Sequence, residues 1–306
     1  MAAPDTSNKR RLFTLLLVMG TLFALLLCRL FYVQLIWGPE LQEKALLQWT
    51  LDTRLSAERG RILDRDGQTL AQSGTAYAVE INPKQIGPNE LIRVASELSD
   101  VLGMEYEYVL NRISDQSKQQ IILKRQVERE LIDKLISRKL GLGVTFGIDT
   151  KRYYPMGNLL SQTLGFTTVD GVGQEGIERT CNKYLAGEAG RLITETDRDN
   201  KPLAYGTQEY IEPVDGCTLV LTVDAIAQSF LEKALQEALA VNRAKSAQGL
   251  IIDVKTGEIL AISTKPDYDP NTPPRNDLAL LQALVKNRVV CDAFEPGSTF
   301  KIFTLS

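Results

Sequence analysis

Residues 293–306 read AFEPGSTFKIFTLS and place Ser298 three positions before Lys301, directly after a Pro-Gly pair. If a helix begins near Ser298, residues i and i+3 lie on one face, so the lysine amine can reach the serine hydroxyl. A serine hydroxyl is a poor nucleophile at neutral pH unless a base takes its proton, and a desolvated lysine can be that base. The stretch therefore predicts a nucleophilic Ser-Lys pair at the start of a helix.

The absence of His from the 306 residues sharpens this interpretation, because it excludes Ser-His-Asp and Cys-His nucleophiles and every His-containing metal site. A serine at a helix amino terminus also has backbone N–H groups pointing toward a developing oxyanion. The same spacing describes a helix-capping serine followed by a surface lysine, however. The S-x-x-K motif therefore needs support from the rest of the chain.

The charge balance argues against nucleic acid as a partner. Lys and Arg total 35, Asp and Glu total 38, and the net charge of −3 leaves no basic surplus. We also expect no cofactor and no bound metal. Four Cys at positions 28, 181, 217 and 291 lack C-x-x-C spacing, so a disulfide scaffold is not predicted, while a single Cys181–Cys217 bridge stays open.

The amino terminus predicts a membrane anchor. Residues 12–28 carry no charge, and the apolar run continues beyond a lone Arg29, which is enough to span a bilayer if Arg29 reaches the interface. Three basic residues at 9–11 precede the run, and the next positive charge after Arg29 is Lys44. The positive-inside rule therefore predicts a cytoplasmic amino terminus, an anchor within residues 1–36, and an extracytoplasmic remainder. A cleaved signal peptide is the alternative, but no small-x-small cleavage pattern follows.

Beyond the anchor, the apolar pattern predicts a mixed α/β domain over residues 37–212. Helical spacing of apolar residues predicts one helix over 91–102, ended by Gly103, and another over 127–136, ended near Gly141. Both are expected on the surface of a folded domain, which is expected to contain no internal repeat.

A composition shift predicts that a further domain occupies residues 213–306. A turn over Pro213–Gly216 precedes a strand-like run over Cys217–Val223, and Asp224 can cap the helix that follows. The apolar positions of that helix describe one broad face, formed by Ile226, Phe230, Leu231, Ala234, Leu235 and Leu239. The next stretch, GLIIDVKTGEILAIS, predicts a β-hairpin with Gly257 at positive φ.

Several segments resemble, in the same order, those of class B penicillin-binding proteins. They are RGRILDRDGQTLA (59–71), KRYYPMGNLLSQTLGF (151–166), GVGQEGIERTCNKYLAGEAG (171–190), LVLTVDAIAQ (219–228), IDVKTGEILAISTKPDYDPN (252–271) and NRVVCDAFEPGSTFK (287–301). Within the second and third segments, the resemblance to the family's pedestal domain includes Gly173, Gly176, Glu178, Leu185, Gly187 and Gly190. Taken singly, some of these residues have plain structural explanations: Gly60 and Gly67 as turn residues, and Arg59 with Asp64 as a surface pair.

The resemblance implies an α+β multidomain protein with one transmembrane helix, a mixed α/β pedestal of the dimerisation type, and the beginning of a transpeptidase domain whose helices pack on an antiparallel sheet. It implies a peptidoglycan D,D-transpeptidase that attacks D-Ala-D-Ala stem peptides through an acyl-enzyme, with Ser298 as nucleophile and Lys301 as proton acceptor. β-Lactams would acylate the same serine.

The family also carries Ser-x-Asn and Lys-Thr-Gly motifs after the nucleophile. No Ser-x-Asn occurs in this sequence, and its one Lys-Thr-Gly, at Lys255–Gly257, precedes Ser298 within the predicted hairpin. We interpret Lys255 as a turn residue in water. We therefore expect the two motifs to follow residue 306, and the chain as printed to be incomplete and inactive alone.

The resemblance further implies partners in the membrane: a polytopic cell-wall glycosyltransferase and other proteins of the division, elongation or sporulation machinery, among which the sequence does not choose. Two other classes stay open. One is a β-lactam sensor or β-lactamase that uses the same Ser-Lys pair, against which the pedestal-like region argues. The other is a non-catalytic, membrane-anchored scaffold of the cell-wall machinery.

Overall fold

The computed structural model describes residues 6–41, 44, 50–118, 120–141, 143–196, 203 and 208–305. The helices are α1 (Thr6–Phe31), α2 (Leu91–Leu102), α3 (Tyr106–Ser114), α4 (Arg129–Ser137), α5 (Ser161–Leu164), α6 (Gly176–Thr180), α7 (Asn182–Leu185), α8 (Ala225–Val241), α9 (Leu278–Val285), α10 (Arg288–Cys291) and α11 (Lys301–Leu305). The strands are β1 (Thr50–Leu55), β2 (Ile62–Leu63), β3 (Thr69–Ile81), β4 (Ile121–Val127), β5 (Val144–Tyr153), β6 (Gly190–Glu195), β7 (Gln208–Ile211), β8 (Leu219–Val220), β9 (Ala247–Ile252) and β10 (Ile259–Lys265).

One compact unit comprises residues 1–55 with 190–212. Its α1 continues into a π-helical turn over Tyr32–Ile36, and residues 11–36 form a helix long and apolar enough to cross a membrane. The described residues of this unit also form an antiparallel sheet in the order β1-β6-β7. The predicted amino-terminal apolar helix is thus confirmed, and it fits a single-pass membrane anchor.

The second unit comprises residues 56–189 with 213–306. Its long strand β3 pairs antiparallel with β4, β5 and β2, and β2 pairs in parallel with β8. A first core joins β3, β4 and β5 to α2, α3 and α4 through fully buried residues such as Val79, Leu98, Val109 and Leu135. The predicted α2 is confirmed, because it ends at Gly103 in the left-handed region (φ 63°).

The second predicted helix begins later than its apolar pattern indicates. Val127 is the last residue of β4 and lies buried in the core, whereas α4 begins at Arg129 and ends at Ser137. The pattern ran from strand to helix without a break because residues at the end of β4 and on the inner face of α4 enter the same core. Sequence periodicity alone does not mark that change of element.

A second core lies where the family-like segments meet. It contains Ile62 and Leu70 from the 59–71 segment, Leu160 and Leu185 from the following segments, and Ile262 of β10. Gly67 turns the chain between β2 and β3 at φ +85°, as predicted. Gly60 has a different role from the predicted turn, because a Cβ there would lie 2.0 Å from the Cys217 carbonyl oxygen.

The helix cap and hairpin predicted after residue 223 are both confirmed. The Asp224 side chain accepts hydrogen bonds from the N–H groups of Ile226 (2.8 Å) and Ala227 (3.0 Å) at the start of α8. β9 and β10 pair antiparallel, with Gly257 at φ +77° in the connection. Helix α8 packs on this hairpin, which gives helix on antiparallel sheet as expected.

The predicted apolar face of α8 is wrong in part. Ile226 and Phe230 are 67% and 70% exposed, whereas Gln228 and Glu232 are the buried side chains that face β10. Leu231, Leu235 and Leu239 are half-buried, with the first two beside Gly249 of β9. The amphipathic pattern failed because hydrogen bonds, not apolar contacts, fix one side of this helix.

Two smaller expectations are also corrected, and the open question of a Cys181–Cys217 bridge is answered. The strand-like run over Cys217–Val223 forms a strand at Leu219–Val220 alone. Residues 213–216 form no tight turn, because Val214 pairs with Glu188 and the Gly216 N–H donates to the Glu58 carbonyl. All four cysteines are free, so Cys181 and Cys217 are not bridged.

Candidate active site

Ser298 lies in the helical stretch that its motif predicts. A 3-10 turn over Gly297–Phe300 leads directly into α11, which begins at Lys301. Gly297, at φ +56°, allows the chain to enter the turn after Pro296. The Pro-Gly pair thus sets Ser298 in the first turn of the terminal helical stretch.

Ser298 and Lys301 are one turn apart, but their side chains are not hydrogen-bonded to each other in the described part of the chain. Both side chains are exposed. The Lys301 backbone N–H is directed to the carbonyl oxygens of Ser298 and Thr299. The structure therefore provides the spacing for a Ser-Lys pair, but not the burial that would activate the lysine.

The approach to Ser298 is attached to the second core. Arg275 donates a hydrogen bond to the Thr167 carbonyl (2.6 Å), which holds the chain ahead of α9. Val289, in α10, packs against the second core, and α10 contacts both β9 and β10. Ser298 lies nine residues beyond Val289, so the stretch that carries Ser298 is attached to the fold through the second core.

A buried charge cluster holds the 59–71 segment to the pedestal-like segments. The Glu178 carboxylate is fully buried and pairs with Arg59 Nε (2.6 Å) and Arg152 Nε (2.7 Å). Arg59 also donates to the Glu178 carbonyl (2.8 Å) and to Asn182 Oδ1 (2.8 Å). Burial and the nearby Glu178 carboxylate raise the pKa of the Tyr154 hydroxyl, so it stays protonated. The cluster is structural and lies outside the 297–305 stretch.

Arg59 and Asp64 are therefore not a surface pair. Both are buried, and each serves a different neighbour. Asp64 Oδ1 accepts from the N–H groups of Asp66 (3.0 Å) and Gln68 (2.7 Å), and Asp64 Oδ2 accepts from the Ala225 N–H (3.3 Å). Asp64 thereby joins the β2–β3 turn to the start of α8.

A second buried charge cluster surrounds Lys265, at the end of β10. Lys265 Nζ contacts Glu232 Oε2 (3.0 Å) and the Asp267 carboxylate. Glu232 Oε1 accepts hydrogen bonds from Gln228 Nε2 (2.7 Å) and from the Leu160 N–H (2.9 Å). Burial alone lowers the pKa of Lys265, but the hydrogen bonds to Asp267 and Glu232 outweigh burial and raise it.

Lys255 has the environment of a turn residue. It is exposed, and its N–H donates to Asp253 Oδ1 (2.8 Å) within the β9–β10 connection. The structure thus agrees with the interpretation of Lys255–Gly257 as a hairpin turn. Among the described residues, no group of three His, Cys, Asp or Glu side chains is placed to hold a metal ion.

Sequence reasoning missed the two buried charge clusters. Arg59 and Glu178 stood within quoted segments, but no spacing connects residues 119 positions apart. Glu232 and Lys265 carried no signal, because a charged residue in a helix or strand is by default read as exposed.

The described chain thus combines an apolar amino-terminal helix that fits a membrane anchor, a mixed α/β body and an S-x-x-K motif at the start of a helical stretch. A family model described as "Penicillin-binding Protein dimerisation domain" matches residues 54–221, more than half of the chain. A second, described as "Penicillin binding protein transpeptidase domain", matches residues 248–306. The chain belongs to the class B penicillin-binding proteins, as the resemblance predicted.

Curated relatives agree with these matches. The chain is 32% identical over 305 residues to "Probable peptidoglycan D,D-transpeptidase PenA" of Neisseria gonorrhoeae, covering 99% of this chain and 51% of that protein. It is 33% identical over 308 residues to "Stage V sporulation protein D" of Bacillus subtilis, covering 100% of this chain and 47% of that protein. The chain thus spans about half the length of the curated relatives it matches.

A solved structure supports the fold. The chain resembles "Complex between Penicillin-Binding Protein (PBP2) and MreC from Helicobacter pylori" with a TM-score of 0.64 and 23% identity, covering 83% of this chain and 51% of that chain. At that identity the likeness concerns the fold alone. It agrees with a mixed α/β body of the penicillin-binding type.

Proposed function

We propose that the protein acts as a peptidoglycan D,D-transpeptidase, with Ser298 as its nucleophile and Lys301 as the proton acceptor. The observation that carries this proposal is the position of the S-x-x-K motif. It begins a helical stretch, Gly297–Leu305, inside the region that matches the transpeptidase family model. The dimerisation-domain match over residues 54–221 favours this function over a β-lactamase or sensor.

In the proposed reaction, the Ser298 hydroxyl oxygen attacks the carbonyl carbon of the penultimate D-Ala, and Lys301 takes the hydroxyl proton. The peptide C–N bond breaks, and that proton leaves with the amine of the terminal D-Ala. A neighbouring stem-peptide amine then attacks the serine ester, which forms the cross-link and regenerates the Ser298 hydroxyl. A β-lactam would follow the first half, with the ring C–N bond broken and the ester retained.

Lys301 must be desolvated to act as this base, and it is exposed among the described residues. Neighbouring apolar residues are exposed as well, including Phe294 (78%) and Ile302 (72%). We propose that the active protein covers this surface, and that Ser-x-Asn and Lys-Thr-Gly motifs of the family type complete the site there.

We propose that residues 1–36 form a cytoplasmic tail and transmembrane anchor, 37–212 the pedestal and 213–306 transpeptidase sequence. The basic residues at 9–11 support a cytoplasmic amino terminus, so that the body lies outside the cell membrane. A polytopic cell-wall glycosyltransferase and other proteins of the division, elongation or sporulation machinery are the proposed partners. We propose that these partners bind the anchor and the pedestal.

The test is acylation by a fluorescent penicillin of the full gene product in its own membranes, with the labelled peptide mapped by mass spectrometry. Ser298→Ala should abolish labelling, because no other residue would form the ester. Lys301→Ala should slow labelling by about 10²- to 10⁴-fold, the usual contribution of general-base assistance.

Lys255→Ala is the matched control, since an exposed turn charge contributes little to a distant site. Label on a residue other than Ser298 would disprove the nucleophile assignment. A large loss in the folded Lys255→Ala protein would instead show that the hairpin Lys-Thr-Gly takes part. Rapid release of the label would favour a β-lactamase.

A further inference from the structure

The Lys265 cluster joins three parts of the chain that are far apart in sequence. Glu232 belongs to α8, Lys265 ends β10, and the Leu160 N–H belongs to the turn before α5. Gln228 forms two hydrogen bonds with the backbone of β10: its Nε2 donates to the Ile262 carbonyl (3.0 Å), and its Oε1 accepts from the Ile262 N–H (2.8 Å). One buried network therefore fixes α8, β10 and the Leu160 turn together.

The chain around and after Lys265 is bound along its length to residues 154–162, which include Leu160. Gln162 Nε2 donates to the Thr264 carbonyl (3.0 Å), and the Tyr268 hydroxyl donates to the Ser161 carbonyl (3.0 Å). Asn271 Nδ2 donates to the Tyr154 carbonyl (3.0 Å), and Asn271 Oδ1 accepts from the Tyr154 N–H (3.0 Å). We call residues 264–271 the mounting segment.

The charges of the cluster suit a positioning role better than a stabilising one. Two carboxylates and one ammonium are taken out of water, and such buried ion groups are often no more stable than apolar replacements of the same volume. Their geometry is nevertheless specific, because each charged oxygen must keep its partner. At Lys265 both carboxylates are engaged from different sides, one on α8 and one on the mounting segment itself.

The mounting segment leads toward Ser298. After Asn271, the chain is held at Arg275 and then forms α9 and α10. Val289 of α10 packs against the second core, which contains Leu160 and Ile262. The backbones of these two residues are hydrogen-bonded by the buried network. Among the described residues from Val289 to Thr299 the backbone hydrogen bonds are local, such as that from the Thr299 N–H to the Pro296 carbonyl (3.3 Å). The Ser298 turn is thus joined to the second core through Val289 and the residues that follow it.

We propose that Lys265, held between Glu232 and Asp267, is a positioning residue that fixes the mounting segment on the Leu160 turn and thereby orients the Ser298 helix. The role in catalysis rests on the proposed function of Ser298. The proposed effect of Lys265 on the order of residues 286–300 does not rest on that function, because it holds whether or not the serine reacts.

The test uses the full gene product with Lys265→Met, which keeps the length of the side chain and removes its charge. Lys255→Met is the matched control, since Lys255 is exposed and lies in the β9–β10 connection. Penicillin acylation of the folded Lys265→Met protein should slow by about 10²-fold, the cost of misplacing a reacting group by about 1 Å, with the label still on Ser298. Amide exchange should quicken in peptides that cover residues 286–300, and neither change should occur in Lys255→Met.

Lys265→Arg, which keeps a cation between the two carboxylates, should recover part of the acylation rate. Glu232→Gln provides a second variant should Lys265→Met not fold: its amide oxygen can still accept from the Leu160 N–H, but its NH2 group then faces Lys265 Nζ, so the pairing with Lys265 is lost. It should shift acylation and exchange in the same direction.

A lower melting temperature with unchanged acylation rate and unchanged exchange over 286–300 would overturn the proposal, since the cluster would then be structural only. If the wild-type protein is not labelled at Ser298, the proposed function fails, and the exchange measurement still decides the mechanical role. Faster exchange in Lys265→Met alone would support that role, and equal exchange would reject it.

Discussion

Glu178→Gln should destabilise the protein severely, because Glu178 is the one carboxylate between two buried guanidinium groups. Arg59 Nε and Arg152 Nε lie 2.6 and 2.7 Å from its two oxygens, and the carboxylate is fully buried. A glutamine at this position has the same shape but one acceptor oxygen. Its amide N–H groups would face the other guanidinium, donor against donor, so one buried cation would lose its partner.

The cost follows from that unpaired charge. Removing one partner of a buried ion pair costs about 3–5 kcal/mol, because the remaining charge stays out of water without compensation. Domains of this size lose about 2–4 °C of melting temperature for each kcal/mol. The expected fall in melting temperature is therefore about 6–20 °C.

Thermal unfolding of the detergent-solubilised protein, followed by circular dichroism, measures this difference. Glu237→Gln is the matched control, since Glu237 is an exposed residue within α8 and should change the midpoint little. A Glu178→Gln midpoint no lower than that of Glu237→Gln would refute the reasoning. It would mean that the buried guanidinium groups find other partners or water.

Two further predictions concern pH and topology. Burial alone raises the pKa of Asp149, but hydrogen bonds from Arg125 and from the Thr150 and Gln126 N–H groups outweigh it and hold the pKa below the ordinary 3.8. The ionised Asp149 carboxylate therefore stabilises the fold above the unfolded pKa of 3.8, and this stabilisation is lost as the pH falls through the lower folded pKa. The free energies of unfolding in urea of Asp149→Asn and wild type should differ at about pH 7 and converge in strong acid. A difference that does not change with pH would contradict this. Protease added to intact spheroplasts should digest the chain beyond residue about 40 and spare the amino terminus, and protection of residues 60–300 would reverse the assigned orientation.

Much of the fold was predictable because it depends on local rules. The anchor follows from an uncharged apolar run, α2 from apolar residues at helical spacing with Gly103 after it, and the start of α8 from Asp224 as a cap. Each of these signals lies within a few neighbouring residues. The S-x-x-K motif likewise predicts the helical stretch at Ser298, which begins at Gly297.

The roles of Arg59, Asp64 and Gly60 could not be predicted, because their partners are distant in sequence. Gly60 is required by the Cys217 carbonyl, which is 157 positions away in sequence, and Arg59 by Glu178. Turn and surface-pair explanations are the ordinary ones for these residue types when no partner is known. The structure supplies the partner, and with it the reason.

The α8 helix shows why the error at Ile226 and Phe230 was systematic. An apolar pattern assumes that the inner face of a helix is the apolar one, yet α8 places Gln228 and Glu232 inward and leaves both apolar residues exposed. Gln228 and Glu232 are hydrogen-bonded to each other, to Ile262 of β10 and to the Leu160 N–H, so these bonds compensate the burial of their polar side chains. A polar inner face of this kind has one correct alignment against its neighbours, whereas an apolar face tolerates sliding and rotation. The inward polar residues that the periodicity argument did not foresee are thus the same ones that hold α8 to Ile262 and Leu160, two residues of the core against which Val289 packs.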